Sequence, residues 1–315
     1  MNWKKMGIGI IALAGLIIAA GMITSPRNTL PEMDPQEWKT IWANDPPQFG
    51  EGWGNPTLLE VNLNDWGDSI WVTPTGERIY FMWIEGDPFS SIFLGKGAIT
   101  TDPDVYYSDE PFVEKHVDTR FYLTEKYYGA AGPMIDAEGN YWYMSVRDYI
   151  NDGKTDTDIF RNFERLPFNT DAQHTNPHYC VAKDELWFDL DDHQIMVLEK
   201  AKENGFNGVP VDAPEPINTP GDEVKESQPW LSSDCNTMYF TSGRLGTLGI
   251  FKSTRNESNE WSEPIPIIYG TKYGVGEPSL TNDGKEGSRL FYEQILRNED
   301  TSVFTTVFFY IEKIA

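Results

Sequence analysis

The chain has little of what most metalloenzymes and nucleic-acid-binding proteins contain. Only four of its 315 residues are histidine and two are cysteine, and their spacing resembles no zinc site. Basic residues number 25 against 49 acidic ones, so the formal net charge is −24. Such a charge repels phosphate backbones, and nucleic acid is therefore not an expected partner. The sequence also lacks a nucleophile–base pair, a phosphate loop and a dinucleotide fingerprint, so no cofactor is expected.

Long hydrophobic runs are missing except at the N-terminus. Lys4 and Lys5 precede an uncharged run over residues 7–24, and Pro26 follows it. This run is longer than most signal-peptide cores and slightly shorter than a spanning helix, so residues 1–25 are predicted to be a signal peptide or a signal-anchor helix. Either alternative places the remaining chain outside the cytoplasm, as a secreted or periplasmic protein, or as one anchored to the membrane if the segment is uncleaved.

The two cysteines, Cys180 and Cys235, could form one disulfide in an exported protein. They fall in different units of the repeat described next. With 39% hydrophobic residues, a chain of this length can build a core without a covalent link. We therefore expect two unpaired cysteines.

A pair of adjacent aromatic residues recurs five times along the chain. The pairs begin at positions 80, 142, 187, 239 and 291, which are 62, 45, 52 and 52 residues apart. Each pair follows an extended run and a turn such as Pro-Thr-Gly or Asn-Asp-Gly, which is typical of a β-hairpin. A third extended run follows most of the pairs, and residues 260–267 supply a fourth. Four-stranded units at this period predict an all-β, five-bladed β-propeller over residues 55–315.

The predicted ring needs one more strand to close. The last unit ends at its third strand, and residues 55–64 lie upstream of the first hairpin. We expect this N-terminal segment to supply the outer strand of blade five, because that pairing removes an open sheet edge. Residues 26–54 are then a linker and approach to that strand, and no long amphipathic helix is expected.

The fourth unit resembles a known family. Its sequence, residues 227–255, is similar to the WD40-like β-propeller repeat of the periplasmic Tol-system type. The matching residues are Ser227, Pro229, Ser232, Asp234, Tyr239, Phe240, Ser242, Arg244 and Gly246. Blade five matches at fewer positions and blades one to three more weakly, so the resemblance covers residues 55–315 as five degraded repeats. It implies that acidic residues at the hairpin turns, such as Asp234, are structural.

One position departs from the family pattern. Cys235 stands where the repeat has its turn glycine. A residue with a side chain adopts positive φ less readily than glycine does. We therefore expect a wider turn in which Asn236 takes the positive φ.

The innermost strands of a propeller line its axis, and functional loops open on one face around it. Alignment of the five units places one residue from each at an equivalent, channel-facing position: Ser69, Gly132, Asn176, Gln228 and Glu277. Two residues further on come Trp71, Met134, His178, Trp230 and Ser279. From these positions and neighbouring loops, the predicted ligand-binding residues are Asp68, Trp71, Arg147, Asn176, His178, Glu226, Trp230, Arg244 and Glu277.

These residues suit two classes of function. The first is a non-catalytic binding or interaction module that takes a protein or glycan partner at the axial face. The alternative is a glycoside hydrolase, which needs two carboxylates on either side of a sugar linkage. The available acids are Asp68, Glu226 and Glu277, with Trp71 and Trp230 as sugar platforms. Blades two and three offer glycine and asparagine where that pattern requires acids, so no catalytic residue is assigned.

No metal ligands are predicted. Residues 148–158 resemble a calcium loop, but with Gly153 as the sixth position Ile150 falls where an oxygen ligand is needed. Residues 189–193, Asp-Leu-Asp-Asp-His, are expected to be a solvated strand end. His178 is expected to be a satisfied core residue more readily than a metal ligand.

Overall fold

The computed structural model describes residues 33–61, 65–84, 104–121, 130–145, 156–221 and 224–314. Before the first blade, the chain forms helix α1 (Pro35–Asn44) and two short strands, β1 (Gln48–Phe49) and β2 (Thr57–Leu58). The remaining strands form five antiparallel sheets, in which strands are hydrogen-bonded in sequence order. These sheets are the five blades of a β-propeller, which confirms the predicted all-β fold.

Blades one to four each contain four consecutive strands. Blade five contains three consecutive strands and a fourth from the N-terminal segment. Blade one contains β3 (Trp66–Val72), β4 (Arg78–Ile84), β5 (Asp104–Asp109) and β6 (His116–Val117). Blade two contains β7 (Ala130–Ile135), β8 (Tyr141–Ser145), β9 (Asp158–Arg161) and β10 (Glu164–Arg165). Blade three contains β11 (His174–Cys180), β12 (Glu185–Leu190), β13 (Gln194–Glu199) and β14 (Val211–Asp212). Blade four contains β15 (Glu226–Leu231), β16 (Thr237–Ser242), β17 (Gly249–Thr254) and β18 (Ile265–Tyr269). Blade five contains β19 (Val275–Leu280), β20 (Arg289–Arg297) and β21 (Phe304–Glu312).

The ring closes through the N-terminal segment. Strand β2 pairs antiparallel with β21, with Thr57 opposite Tyr310 and Leu58 opposite Phe309. Blade five therefore has its fourth strand from the opposite end of the chain, and its outer edge is covered. This confirms the closure predicted from the sequence.

The segment expected to be a linker has structure of its own. Asp34 caps α1 by accepting a hydrogen bond from the Gln36 amide at 2.8 Å, and a proline occupies the first turn, where its missing N–H costs nothing. Strand β1 then adds a fifth strand to blade four by pairing with β18. Trp38 of the helix is 1% exposed and belongs to the apolar core formed largely by blades four and five.

The N-terminal hydrophobic segment, residues 1–25, lies outside the described residues. Within the described ranges, no helix is long and apolar enough to cross a membrane.

The recurring aromatic pairs hold the blades together. All ten of these side chains are at most 3% exposed. Because successive strand residues point to opposite faces, each pair places one ring on each side of its blade. Phe81 of blade one packs edge-on against Phe308 of blade five at 5.4 Å, and Trp142 of blade two stacks on Tyr179 of blade three at 4.9 Å. The sequence repeats the pair because every blade has two neighbours.

The expectation of two unpaired cysteines is wrong. Cys180, at the end of β11, forms a disulfide with Cys235, in the turn between β15 and β16, and their Cα atoms are 6.0 Å apart. The inner hairpins of blades three and four lie side by side, so residues 55 positions apart in sequence become neighbours. Cys235 itself takes the positive φ, 60°, so the expected positive φ at Asn236 is also wrong.

Removing this disulfide is expected to destabilise the propeller. In the chain-entropy model, a cross-link spanning 55 residues stabilises the fold by about 4 kcal/mol through restriction of the unfolded chain. We expect Cys180→Ala/Cys235→Ala to lower the urea midpoint of the oxidised protein while leaving the circular dichroism spectrum unchanged. Prior reduction in denaturant should lower the midpoint of the native sequence and leave the double variant unaffected. Equal midpoints for the oxidised native protein and the double variant would contradict this.

Candidate functional site

Each innermost strand carries a β-bulge at the same level of the propeller. The pairing of inner and second strands shifts register once in every blade, and the bulged residue lies at one equivalent position. All five of these residues have positive φ: Ser69 58°, Gly132 58°, Asn176 49°, Gln228 55° and Glu277 58°. These are the five positions that the sequence alignment predicts to be equivalent. A bulge leaves one residue outside the sheet ladder, so its backbone and side chain become available to other partners.

The bulges surround a narrow axial pocket of about 40 Å³. The residues that line it are the five bulged residues and those that follow them, including Pro133, Pro177, Pro229 and Pro278. A small-molecule site normally has several hundred cubic ångströms. The axis therefore has room for water-sized groups and none for a sugar ring.

In blades three to five, side chains form hydrogen bonds with polar groups that the bulges leave outside the sheets. We call this set the polar belt: Asn176, Asp189, Gln228 and Glu277. Asp189 accepts hydrogen bonds from the Asn176 amide group and from the Gln228 backbone N–H, both at 2.8 Å. Gln228 in turn accepts from the Glu277 backbone N–H at 3.1 Å, and its own amide donates to the Glu277 carboxylate. Each bond to a backbone N–H crosses from one blade to the next. The predicted ligand residues Asn176 and Glu277 are thus members of this belt.

Three buried carboxylates meet where blades one and five adjoin. Asp68 on β3, Glu277 on β19 and Glu293 on β20 each place one oxygen within 4.8 Å of the other two. Their exposures are 5%, 6% and 2%. Burial raises the pKa of all three groups, and the neighbouring Asp68 raises the pKa of both glutamates further. This trio is the one cluster in the described part of the chain with the spacing of metal ligands.

Two further acids, Asp189 and Asp192, are more buried than the sequence predicts. Asp189 is 0% exposed and Asp192 is 6% exposed, so the solvated strand end expected at residues 189–193 is wrong for these two acids, whereas Asp191 between them is exposed. Burial raises the pKa of Asp192 to about 6, against the opposing influence of Lys225 and a hydrogen bond from Thr175. Asp189 directly follows the buried aromatic pair of its blade, and its carboxylate is bonded at the axis to Asn176 and Gln228.

The residues two positions after the bulges connect neighbouring blades. His178 Nε2 accepts from the Leu231 N–H at 3.2 Å, and Ser279 Oγ accepts from the Val72 N–H at 2.9 Å. His178 also contacts Trp230 edge-on at 5.9 Å. Burial lowers the pKa of His178 to about 4, so the imidazole is neutral and can accept this bond. His178 is therefore a buried residue satisfied by the next blade, as the sequence favours over a metal-ligand role.

The two predicted tryptophan platforms pack inside the propeller. Trp71 is 9% exposed and Trp230 is 7% exposed. Their rings contact Tyr80 at 5.7 Å and Tyr239 at 5.9 Å, the aromatic residues of the same blades. Their edges border the narrow axial pocket.

Glu226 and Arg244 form a pair at the face where the inner strands begin, here called the entry face. Arg244 donates to the Glu226 carboxylate at 3.2 Å and to the backbone oxygen of Ile217 at 2.8 Å. Thr219 and Ser242 also donate to Glu226 Oε1, at 2.8 and 3.0 Å. Glu226 is 1% exposed and forms part of the wall of an open cavity of about 270 Å³.

This cavity, the three–four notch, lies between blades three and four. Its lining is polar and includes His193, Asp212, Glu215, Thr219 and Glu226. Asp212 and Glu215 are exposed and Glu226 is buried. The notch therefore offers acidic groups to a partner at the entry face.

A second cavity, the helix notch, lies on the same face beside α1. It measures about 500 Å³ and its lining includes Ile41, Lys272, Tyr273, Arg297 and Asp300. Glu299 on its rim accepts hydrogen bonds from Lys272 and Tyr273. One side of this notch is formed by α1, which lies in the segment predicted to be a linker, residues 26–54.

The predicted site residues are thus divided among different places. Asp68 and Glu277 meet at the axis, Asn176 lies in the polar belt, and Glu226 and Arg244 meet at the three–four notch. Arg147 lies outside the described residues.

The sequence reasoning missed Asp189 and Glu293. Both immediately follow the aromatic pair of their blade, and the equivalent residues elsewhere are Met82, Met144 and Thr241. The available signal was an acidic residue directly after the aromatic pair, where the other three blades have methionine or threonine.

Comparison with known proteins shows structural similarity at low sequence identity. No family model matches the chain, and no curated protein matches it either. Among solved structures, a thermostable family-43 glycoside hydrolase is 13% identical, with a TM-score of 0.48 over 84% of this chain and 91% of that one. A candidate TolB protein of Agrobacterium tumefaciens is 12% identical, with a TM-score of 0.41 over 79% and 83%. An α-L-arabinofuranosidase of Podospora anserina is 8% identical, with a TM-score of 0.44 over 85% and 94%. At these values no functional argument rests on the similarities.

The neutral His178 makes a testable contribution to stability. Its pKa falls from 6.5 to about 4 on folding, so the unfolded chain binds more protons between those values. The stabilisation is present above pH 6.5 and is lost as the pH falls towards 4, by about 2 kcal/mol between pH 7 and pH 5. We expect urea unfolding to show this loss for the native protein relative to His178→Gln, which can still accept the Leu231 N–H. His116→Gln, at an exposed position, should keep the native pH dependence, and identical pH profiles for His178→Gln and the native protein would disprove the assignment.

Proposed function

We propose that the protein is a non-catalytic binding module that engages its partner at the entry face. The observation that carries this proposal is the contrast between a closed axis and open notches. The axial pocket holds about 40 Å³, whereas the three–four notch holds about 270 Å³ and the helix notch about 500 Å³. Ligand sites are typically a few hundred cubic ångströms or more.

The charge of the molecule favours a protein partner with basic side chains. The chain has a formal net charge of −24, and Asp212 and Glu215 are exposed at the three–four notch. Complementary charge accelerates association and selects among partners. The Glu226–Arg244 pair forms a fixed wall, since both side chains are held by several hydrogen bonds. A glycan is the second class of partner and would use the same polar lining.

The hydrolase alternative has weaker support. Its mechanism needs two carboxyl groups on either side of a glycosidic bond. Asp68, Glu277 and Glu293 are close together but buried beside a pocket too small for a sugar. Glu226 is the predicted acid that reaches an open cavity, which Asp212 and Glu215 also line. Its side chain is 1% exposed and is held by hydrogen bonds from Thr219, Ser242 and Arg244.

An extracytoplasmic location is part of the proposal. The hydrophobic run at residues 7–24 supports export, with membrane attachment if the segment is uncleaved. The Cys180–Cys235 disulfide supports an oxidising compartment. Membership of the WD40-like Tol-type repeat family is proposed on the residues matched in blades four and five.

Binding should depend on the exposed acids of the three–four notch. We expect the full-length protein to bind basic peptides from an array of graded charge, with affinity that falls as salt rises. Asp212→Asn/Glu215→Gln should weaken this binding several-fold and reduce its salt dependence, because two attractive charges are removed. The matched control, Glu257→Gln/Glu286→Gln, changes two exposed acids in the turns that follow β17 and β19, on the opposite face.

A parallel screen with soluble polysaccharides separates the alternatives. Binding of a polysaccharide without release of sugar, weakened by the notch variant, would identify a glycan partner. Release of reducing sugar that is abolished by Glu226→Gln would contradict the non-catalytic proposal and favour a hydrolase.

A further inference from the structure

The carboxylate trio lies at the seam where the ring closes. Asp68 belongs to the innermost strand of blade one, and Glu277 and Glu293 belong to the two inner strands of blade five. The seam also joins the two ends of the propeller, because β2 completes blade five and the chain then continues into β3. Three carboxylates with oxygens within 4.8 Å, all at least 94% buried, repel one another strongly if all are ionised.

One oxygen of the trio has no partner. Glu293 Oε2 is buried, and no hydrogen-bond donor in the described part of the chain reaches it. By contrast, Asp189 at the axis receives two hydrogen bonds, and Glu226 at the entry face receives three at one oxygen. A buried carboxylate oxygen without a donor is costly, and a bound cation is one way to satisfy it.

We propose that Asp68, Glu277 and Glu293 bind one Ca²⁺ ion that holds blades one and five together. The donor set consists of oxygen alone, which suits a hard cation and disfavours zinc. The three oxygens lie within 4.8 Å of one another, so one ion can reach all of them with calcium–oxygen bonds of about 2.3–2.6 Å. Magnesium dehydrates reluctantly and usually keeps several waters, for which a trio this deeply buried has little room.

The surroundings can complete the coordination. Calcium takes about six to eight oxygens, and carboxylates can supply one or two each. Glu277 also borders the axial pocket of about 40 Å³, which is large enough for a water molecule. Ser69 Oγ donates to Asp68 Oδ1 at 3.1 Å and so orients that carboxylate. The site would thus be structural and independent of the notches proposed to bind a partner.

Calcium titration of the full-length protein tests the proposal. After treatment with chelator and dialysis against calcium, we expect about one equivalent of bound Ca²⁺ by elemental analysis. Saturating CaCl₂ should raise Tm by about 5 °C over the chelated protein, as expected for a site filled to about 100 times its Kd. MgCl₂ at the same concentration should give a smaller shift.

Two variants separate metal binding from folding. Glu293→Gln should lose the bound equivalent and the calcium shift. It should be no less stable than the native protein in chelator, because an uncharged amide of the same shape replaces a buried carboxyl group. Glu312→Gln, the same substitution at an exposed position of blade five, should keep both. A native protein with no bound calcium and no Tm response, a larger response to magnesium, or a Glu293→Gln variant that still binds one equivalent would each overturn the proposal.

Discussion

The bulge on each innermost strand is the constraint on which the axial architecture depends. A regular strand would use its N–H and C=O groups within its own blade. The bulge instead turns one residue of each blade into the left-handed region and leaves its polar groups free at the axis. In blade four the freed Gln228 N–H goes to Asp189 of blade three, and in blade five the Glu277 N–H goes to Gln228. The inner ends of the blades are therefore connected to one another by side chains as well as by apolar packing.

Because these side-chain contacts fill the axis, they determine where a partner can bind. The acids and tryptophans that face the centre are engaged in hydrogen bonds and ring contacts, and the remaining space is of the size of water. Open, polar and partly acidic cavities lie nearer the rim of the entry face instead. The buried trio at the seam is the place where we propose a cation, because no donor among the described residues reaches Glu293 Oε2.

Much of the fold could be predicted from the sequence because each blade repeats the same requirement. A hairpin turn followed by two aromatic rings marks a strand buried on both faces, and that pattern predicted the blades, their equivalence at Ser69 to Glu277, and the closing strand. Features that depend on contacts between blades could not be predicted in this way. Predicting the Cys180–Cys235 disulfide requires the distance between the inner hairpins of two neighbouring blades. The role of Glu293 could be predicted only if it were known that residues of the second strands reach the axis. Helix α1 is too short and its hydrophobic pattern too weak to be recognised in the sequence.

Native-state hydrogen exchange of the Gln228 and Glu277 amides tests the central claim most directly. Both N–H groups lie at bulges, outside the regular ladder, and the account has them bonded to side chains of the preceding blade at 2.8 and 3.1 Å. We predict that they exchange only through global unfolding, as slowly as the central amides of the second strands. Fast exchange of these two amides under native conditions, at rates typical of exposed loops, would contradict a closed and hydrogen-bonded axis.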